Sequence, residues 1–280
     1  MAEKRAILAV SFGTSHTDTC AKTIDVIEHE IQENYLQCPL YRAWTSEVIR
    51  RKVEARDGVP IFSVKEALEQ MCADGFTEII VQPTFVIDGV ESEKMLEELK
   101  RFENSGRCSI AAGTSLLATH EDAVRVIDVL LEEWQLQQGE FLLMMGHGSL
   151  SEANAVYEDL NQILDQRGCR NIRICTLHDF HAANWQLLEY SEGLGDSCIS
   201  RQEYPRKIIL APFMLVSGSH AVHNMAGDQA DSWKRRLQDA GFEVECVMKG
   251  LGEYEGIRAI IGEHLKTVIA KNVNNILLDK

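Results

Sequence analysis

Short runs of branched apolar residues alternate along the chain with segments in which apolar residues recur at helical spacing. Ile24, Ile27 and Ile31, for example, share one predicted helical face. This alternation is typical of βα units, which build parallel sheets. Four strands are predicted in each half, near 6–11, 39–44, 78–82 and 108–112, then near 141–145, 172–177, 207–211 and 242–248. The predicted fold is α/β, with two similar doubly wound domains, each a four-stranded parallel sheet flanked by helices.

The two halves also share a sequence pattern. The segment IIVQPTFVIDG (79–89) aligns without a gap with IILAPFMLVSG (208–218), which matches Pro83 with Pro212. LAVSFGTS near the start of the chain aligns with LMMGHGS of the second half when one residue is allowed to slip. The pattern indicates an internal duplication.

The two copies differ at positions that matter for chemistry. The alignment places Phe12 opposite His147 and Glu91 opposite His220. A duplicated fold in which one half has gained imidazoles predicts a metal or proton-transfer site in the cleft between the halves.

A length of 280 residues suits two domains that each have their own core. No Gly/Ser-rich or Pro-rich linker separates them, so the boundary is expected in an ordinary turn near 137–140. The prediction is an N-terminal domain of residues 1–138 and a C-terminal domain of residues 139–280 that carries the metal-site histidines. The last helix is free to pack back on the first domain.

The formal charge of −15 and the pI near 5.1 disfavour nucleic acid and anionic membranes as partners, because both require a basic surface. This charge favours cations as partners, or a role with small molecules in the cytosol. The chain has no run of eighteen apolar residues and no signal-peptide pattern, so we expect a soluble, cytoplasmic protein. The sequence leaves a homo-oligomer open.

Three histidines follow predicted strands of the second half. His147 comes after its first strand, His178 ends its second, and His220 lies in the loop after its third. Open α/β sheets bind ligands at the carboxyl ends of their strands, so these imidazoles are expected at one edge. Imidazole both ligates divalent metals and accepts protons near neutral pH. We therefore predict a metal site formed by His147, His178 and His220.

Simpler interpretations exist for each of these residues. The segment 146–149 (GHGS) is also what a tight strand-to-helix turn with a serine cap requires. His220 alone resembles a solvated loop histidine. Either His178 or His181 can face the site, and position at the strand end favours His178.

The loop after the first strand offers a second kind of site. Ser11, Phe12, Gly13, Thr14 and Ser15 form a largely polar segment whose backbone N–H groups favour anions. It has neither the glycine and lysine spacing of a P-loop nor the G-x-G-x-x-G of a dinucleotide fold. Carboxylates are therefore better candidates than nucleotides.

Several motifs together resemble a known family. They are VSFGTSHTDTC (10–20), TSEVIRRKVEARDG (45–58), the GHG turn, LVSGSHAVHNMAGDQADSWK (215–234) and GLGE (250–253). In this order they resemble the anaerobic sirohydrochlorin cobaltochelatases, within the class II tetrapyrrole chelatases. The resemblance covers almost the whole chain, and the ordered set is far more specific than any one motif.

The resemblance implies roles for particular residues. In that family two histidines and a glutamate approach the metal between two similar α/β domains. The histidines correspond to His147 and His220, while the place of the glutamate falls on His178, which is a departure. Phe85 is a second departure, since many relatives have a histidine there. Glu91 matches an acidic stretch that faces the same cleft, and is predicted to be catalytic together with His147 and His220.

The implied activity is insertion of Co(II) into sirohydrochlorin, a polycarboxylate tetrapyrrole, in anaerobic cobalamin biosynthesis. The enzyme would be a lyase without an organic cofactor, with histidine ligands that also accept pyrrole protons and the 11–15 loop binding the tetrapyrrole. Ligand type alone leaves Fe(II), Ni(II) and Zn(II) possible. The alternatives are a ferrochelatase of siroheme synthesis, a non-enzymatic protein that binds a tetrapyrrole or metal, and a zinc hydrolase.

Overall fold

All eight predicted strands are present in the computed structural model, which describes residues 4–149, 152–178 and 205–278, and their ends move by no more than two residues. The strands are β1 (Arg5–Ser11), β2 (Leu40–Trp44), β3 (Glu78–Pro83), β4 (Ser109–Ala112), β5 (Glu140–Gly146), β6 (Ile172–Thr176), β7 (Lys207–Phe213) and β8 (Glu243–Cys246). The described α-helices are α1 (Thr17–Lys22), α2 (Ile24–Asn34), α3 (Glu47–Asp57), α4 (Val64–Ala73), α5 (Val90–Glu103), α6 (His120–Glu133), α7 (Ala155–Gln166), α8 (Trp233–Asp239) and α9 (Glu255–Leu278). A π-helix spans Ala221–Met225, and short 3₁₀-helices span Glu152–Asn154 and Leu251–Glu253.

The strands form two four-stranded sheets with the same strand order. One sheet has the order β2-β1-β3-β4 and the other β6-β5-β7-β8, and every pairing between neighbours is parallel. The central strands β1, β3, β5 and β7 are buried along almost their whole length, as expected for strands covered on both faces. The predicted α/β class with two similar parallel sheets is confirmed.

The two sheets also share their register. Val10 in β1 pairs with Pro83 in β3, and Met145 in β5 pairs with Pro212 in β7. Val10 and Met145 therefore occupy equivalent positions, as do the two prolines. In this register β1 and β5 align without a gap, and the residues that follow them, Phe12 and His147, are equivalent as the sequence alignment predicted.

The chain divides into two compact units, but not at the predicted turn. One unit comprises Met1–Ala118 together with Glu255–Lys280, and the other comprises Thr119–Tyr254. The unit limits thus fall after Ala118 and Tyr254 and not between residues 138 and 139. The first unit thus contains the C-terminal helix, and the second begins with α6.

Packing explains this division. Helix α6 lies against α7, where His120 Nδ1 is 2.9 Å from the Asp159 carboxylate. Helix α9 lies against β3 and β4, and Arg258 Nε donates to Glu30 Oε1 of α2 at 2.7 Å. Helix α6 therefore belongs to the unit whose strands follow it in the chain. Helix α9 belongs to the unit whose strands precede it.

Each unit has its own apolar core beside its sheet. In the first, Leu68 and Met71 of α4 pack with β1 and β3. In the second, Trp233 and Leu237 of α8 pack with β5 and β7. Across the residues with assigned structure, no helix is both long enough and apolar enough to cross a membrane.

Candidate metal site

His147 lies directly after β5, in a turn that only glycine permits on either side. A Cβ on Gly146 would lie 2.4 Å from Tyr157 Cε1. Gly148 has φ +75°, in the left-handed region, and a Cβ there would lie 2.9 Å from Thr176 Cβ. The two glycines let the backbone pass close to neighbouring side chains and turn sharply, which leaves the His147 ring exposed at the strand end.

Polar side chains of the following helical segment hold this turn. Tyr157 Oη accepts a hydrogen bond from Gly148 N at 3.3 Å, and burial raises the pKa of Tyr157 to about 12, so the phenol stays neutral. Asn154 bonds twice to Ser149: its Oδ1 accepts from Ser149 N at 2.7 Å, and its Nδ2 donates to Ser149 O at 2.6 Å. The turn is therefore a fixed support for the imidazole.

His220 lies in the loop after β7, at the residue that precedes the π-helix. Ala221 and Met225 are fully buried in the core of this unit, so they anchor the π-helix to the sheet. The bond from Ala226 N to Ala221 O, at 3.0 Å, closes its wide turn. His220 is exposed, and Asn224 lies one turn further along.

The GLGE segment supports the loop that leads into the π-helix. Leu251 N donates to Met214 O at 2.8 Å, and Gly252 N donates to Leu215 O at 3.0 Å. A Cβ on Gly250 would lie 2.6 Å from Leu215 O, so glycine is required for this close backbone contact. The GLGE segment therefore supports His220 indirectly, through backbone hydrogen bonds to the loop between β7 and the π-helix.

The structure brings the rings of His147 and His220 together. Their centroids are 4.9 Å apart, and the ring planes meet at 73°. A metal about 2.0–2.1 Å from an imidazole nitrogen lies about 3.2 Å from that ring's centroid, so two imidazoles on one ion have centroids roughly 4.5–5.2 Å apart. The separation of this pair fits shared coordination of a single ion.

Hydrogen bonds fix which nitrogen of each ring is available. His147 Nδ1 is 3.0 Å from Gly148 O, and His220 Nδ1 is 3.0 Å from Asn224 Oδ1. Both partners are acceptors, so each Nδ1 carries a hydrogen, and in the neutral ring each Nε2 then carries the lone pair. A backbone carbonyl or amide oxygen on the non-ligating nitrogen is the usual arrangement behind a metal-binding histidine.

The third predicted ligand is His178. It is exposed in the turn directly after β6. Among the side chains the structure describes, no group of three or more His, Cys, Asp and Glu residues could hold a metal ion. His178 therefore stays a predicted ligand, and His181, the alternative to it, lies outside the described residues.

Glu91, the predicted catalytic carboxylate, belongs to the other unit. It lies in the first turn of α5, where a negative charge is favourable beside the helix N-terminus. Its Oε1 is 2.8 Å from Lys94 Nζ, and its side chain is 28% exposed. Its role in catalysis stays a prediction.

The 11–15 loop, which is predicted to bind the tetrapyrrole, directly follows the buried part of β1. Ser11 Oγ is 2.8 Å from Thr84 Oγ1, and Ser11 and Thr84 are both buried. Thr14 is also buried, and its Oγ1 accepts from His16 N at 3.2 Å. The large exposed side chain of this loop is the apolar ring of Phe12. The hydroxyls of Ser11 and Thr14 therefore serve internal bonds.

The backbone of the same loop is tightly held. Gly13 has φ +94°, and a Cβ there would lie 2.6 Å from the Trp44 ring. Ser15 O accepts a hydrogen bond from Arg56 Nη1. Binding of the tetrapyrrole by this loop stays a prediction.

Sequence reasoning did not identify Asn154, Tyr157 and Asn224, the side chains that hold the two histidines. Asn224 had a detectable signal, since it lies four residues after His220, a spacing that places side chains together on a helix. The contact of Tyr157 with Gly148 depends on how α7 packs beside the sheet, where it lies against β6, which periodicity does not reveal.

The fold is that of a duplicated α/β protein, and its second unit presents a pair of imidazoles at the carboxyl edge of the sheet. Residues 5–270 match the family described as cobalt chelatase (CbiK). The match covers nearly the whole chain, so the protein belongs to this family of metal chelatases. The resemblance inferred from the motifs is confirmed at the level of the family.

Two relatives and one solved structure agree with this assignment. The chain is 35% identical over 265 residues to the sirohydrochlorin cobaltochelatase of Salmonella typhimurium, covering 94% of this chain and 95% of that protein. It is 27% identical over 270 residues to the sirohydrochlorin cobaltochelatase CbiKC of Nitratidesulfovibrio vulgaris, covering 95% and 91%. The structure of SirB from Bacillus subtilis with Fe3+ superposes with a TM-score of 0.64 at 13% identity, covering 97% and 98%, and therefore supports the fold alone.

Proposed function

We propose that this protein is a sirohydrochlorin cobaltochelatase, which inserts Co(II) into a polycarboxylate tetrapyrrole as a step of anaerobic cobalamin biosynthesis. The observation that carries the proposal is the pair of exposed imidazoles, His147 and His220, whose ring separation suits one metal ion. The two relatives that carry this activity in their names support it, because both align over almost their whole length.

The reaction requires a ligand and a base at the same place. A free tetrapyrrole carries two pyrrole N–H protons, and a divalent metal replaces both, so one Co(II) enters and two protons leave. Imidazole serves either purpose, because a neutral ring nitrogen binds a metal and, once the metal has left, accepts a proton near neutral pH. We assign His147 as ligand and proton acceptor, and His220 as the second ligand.

The site must also release its metal to the macrocycle. Neutral imidazoles hold cobalt without adding negative charge, and both rings are exposed, so ligand exchange with the pyrrole nitrogens is not blocked by burial. We assign His178 as a third ligand and Glu91 as a further proton acceptor on the strength of their sequence positions.

An anaerobic absorbance assay of sirohydrochlorin metallation tests the proposal. The purified protein is supplied with Co(II), Fe(II), Ni(II) or Zn(II) in turn, against reactions without enzyme. We expect protein-dependent insertion that is fastest with Co(II). Fastest insertion of Fe(II) would make it a ferrochelatase, and tight ring binding without turnover would make it a carrier. Stoichiometric zinc retained through purification, with no insertion of any metal, would favour a hydrolase.

A further inference from the structure

We propose that Asn224 is a positioning residue that holds His220 in the tautomer and orientation required for binding the substrate metal. The inference rests on the proposed role of His220 as a metal ligand. It goes further by assigning a function to a side chain that does not itself touch the metal.

The first observation is the hydrogen bond. Asn224 Oδ1 is 3.0 Å from His220 Nδ1. An amide oxygen only accepts, so the hydrogen resides on Nδ1 and the lone pair on Nε2. Without this acceptor the hydrogen can reside on Nε2, where it occupies the lone pair, and the ring can rotate, which moves Nε2 out of place.

The second observation is the local backbone. Ala221 and Met225 are buried and fix one side of the π-helix, while His220 and Asn224, also four residues apart, lie together on another side. At the end of this segment, a Cβ on Gly227 would lie 2.2 Å from His223 O, so only glycine fits against that carbonyl. The first and last residues of the π-helix, Ala221 and Met225, are therefore held by burial in the core. Single π-turns of this kind are frequent at functional sites.

The third observation is the symmetry of the pair. The neighbouring His147 has the same arrangement, with Nδ1 at 3.0 Å from the Gly148 carbonyl. A backbone carbonyl cannot be removed by mutation, whereas Asn224 is a side chain and can be changed. Both acceptors are uncharged. A carboxylate at either position would make the imidazole a stronger ligand, so neutral acceptors suit a site that must release its metal.

The test measures Co(II) binding by the full-length protein without tetrapyrrole, from the ligand-field absorption of Co(II) and by calorimetry. Asn224→Leu and the milder Asn224→Ala both remove the acceptor, and we expect about 10- to 100-fold weaker binding with a changed Co(II) spectrum. Asn224→Asp keeps an acceptor, so we expect wild-type or tighter binding and slower transfer of metal to the ring. Val222→Ala, an exposed site on the same π-helix, is the control for local disturbance and should bind like wild type.

His220→Ala separates failure of this inference from failure of the proposed function. If His220→Ala weakens Co(II) binding while both Asn224→Ala and Asn224→Leu bind like wild type, His220 keeps its role and the role of Asn224 is wrong. If Asn224→Asp loses as much affinity as Asn224→Leu, the acceptor is not what matters and the inference is overturned. If His220→Ala itself binds Co(II) like wild type, the metal role of His220 fails, and the role of Asn224 fails with it.

Discussion

The imidazole rings of His147 and His220 lie edge to face with centroids 4.9 Å apart, although they follow different strands. Their strands explain this proximity. β5 and β7 are hydrogen-bonded neighbours, with Gly146 paired to Phe213, so the loops after them start at the same level of the sheet. The duplication explains the rest, because the register of β1 and β3 places Phe12 where the second unit has His147. One copy of the fold thus has an apolar side chain at the position where the other has the imidazole of His147.

The glycine after His147 provides a matched test of the turn. Gly148 and Gly168 both have positive φ, but a Cβ at Gly148 would meet Thr176, whereas nothing lies within 4 Å of one at Gly168. Gly168→Ala should therefore cost about 1–2 kcal/mol of unfolding free energy from the backbone alone. Gly148→Ala should cost a further 1–3 kcal/mol or so and slow metal insertion, because the clash displaces the turn. Urea unfolding and the metallation rate measure both effects, and equal losses in the two variants would show that the contact with Thr176 is unimportant.

Burial of Tyr157 predicts an alkaline limit to stability. Its folded pKa is raised to about 12, from an ordinary value near 10, because the buried phenolate would be poorly solvated. Between these pKa values the folded state binds more protons than the unfolded state. The contribution of Tyr157 to the free energy of unfolding is therefore present below about pH 10 and is lost as pH rises toward 12. In Tyr157→Phe the free energy of unfolding should fall less steeply with rising pH, by up to about 1.4 kcal/mol per pH unit. Urea unfolding from pH 9 to 11 tests this, and an unchanged slope would contradict it.

His178 stays a predicted ligand with a direct test. His178→Glu replaces an imidazole with a carboxylate, which makes the metal site more negative by one unit and adds a hard oxygen donor. If His178 binds the metal, the order of insertion rates among Co(II), Fe(II), Ni(II) and Zn(II) should change. His29→Glu, at an exposed position on α2, is the control and should leave the order as it is. The same order in His178→Glu would show that this ring does not bind the metal.

The net charge of −15 predicts opposite salt effects for the two substrates. Long-range repulsion slows capture of a polycarboxylate ring, and long-range attraction speeds capture of a divalent metal. Raising the ionic strength from about 0.01 to 0.15 M shortens the Debye length from about 30 to 8 Å, so ring capture should become faster and metal capture slower. Stopped-flow measurements with each substrate alone test this, with sucrose as a neutral control. Much slower capture of the ring in salt would indicate that local cations dominate.

The sequence predicted the architecture well because both of its signals are local. Strands buried on both faces appear as continuous apolar runs, and the repeated pattern around Pro83 and Pro212 revealed the duplication. The extents of the units were not predictable in this way. Whether α6 packs on α7, and where α9 packs, depends on contacts between segments far apart in the chain.

The candidate site was predictable in part for the same reason. His147 and His220 follow strands, and strand order brings the ends of strands together. Their supports, Tyr157 and Asn224, depend on helix packing and on a π-turn that has no periodic signature. The polar composition of the 11–15 loop did not reveal that burial beside Thr84 gives the Ser11 hydroxyl an internal partner.

The role of the imidazole pair in metal insertion is tested most directly by His147→Ala and His220→Ala, with His29→Ala as an exposed histidine control. The measurement is the anaerobic rate of cobalt insertion into sirohydrochlorin, together with ring binding by fluorescence quenching. We expect each site variant to lose about 10²- to 10⁴-fold in rate while still binding the ring, and the control to react at the wild-type rate. Wild-type rates in both site variants, with ring binding intact, would contradict the assignment of the metal site to this pair.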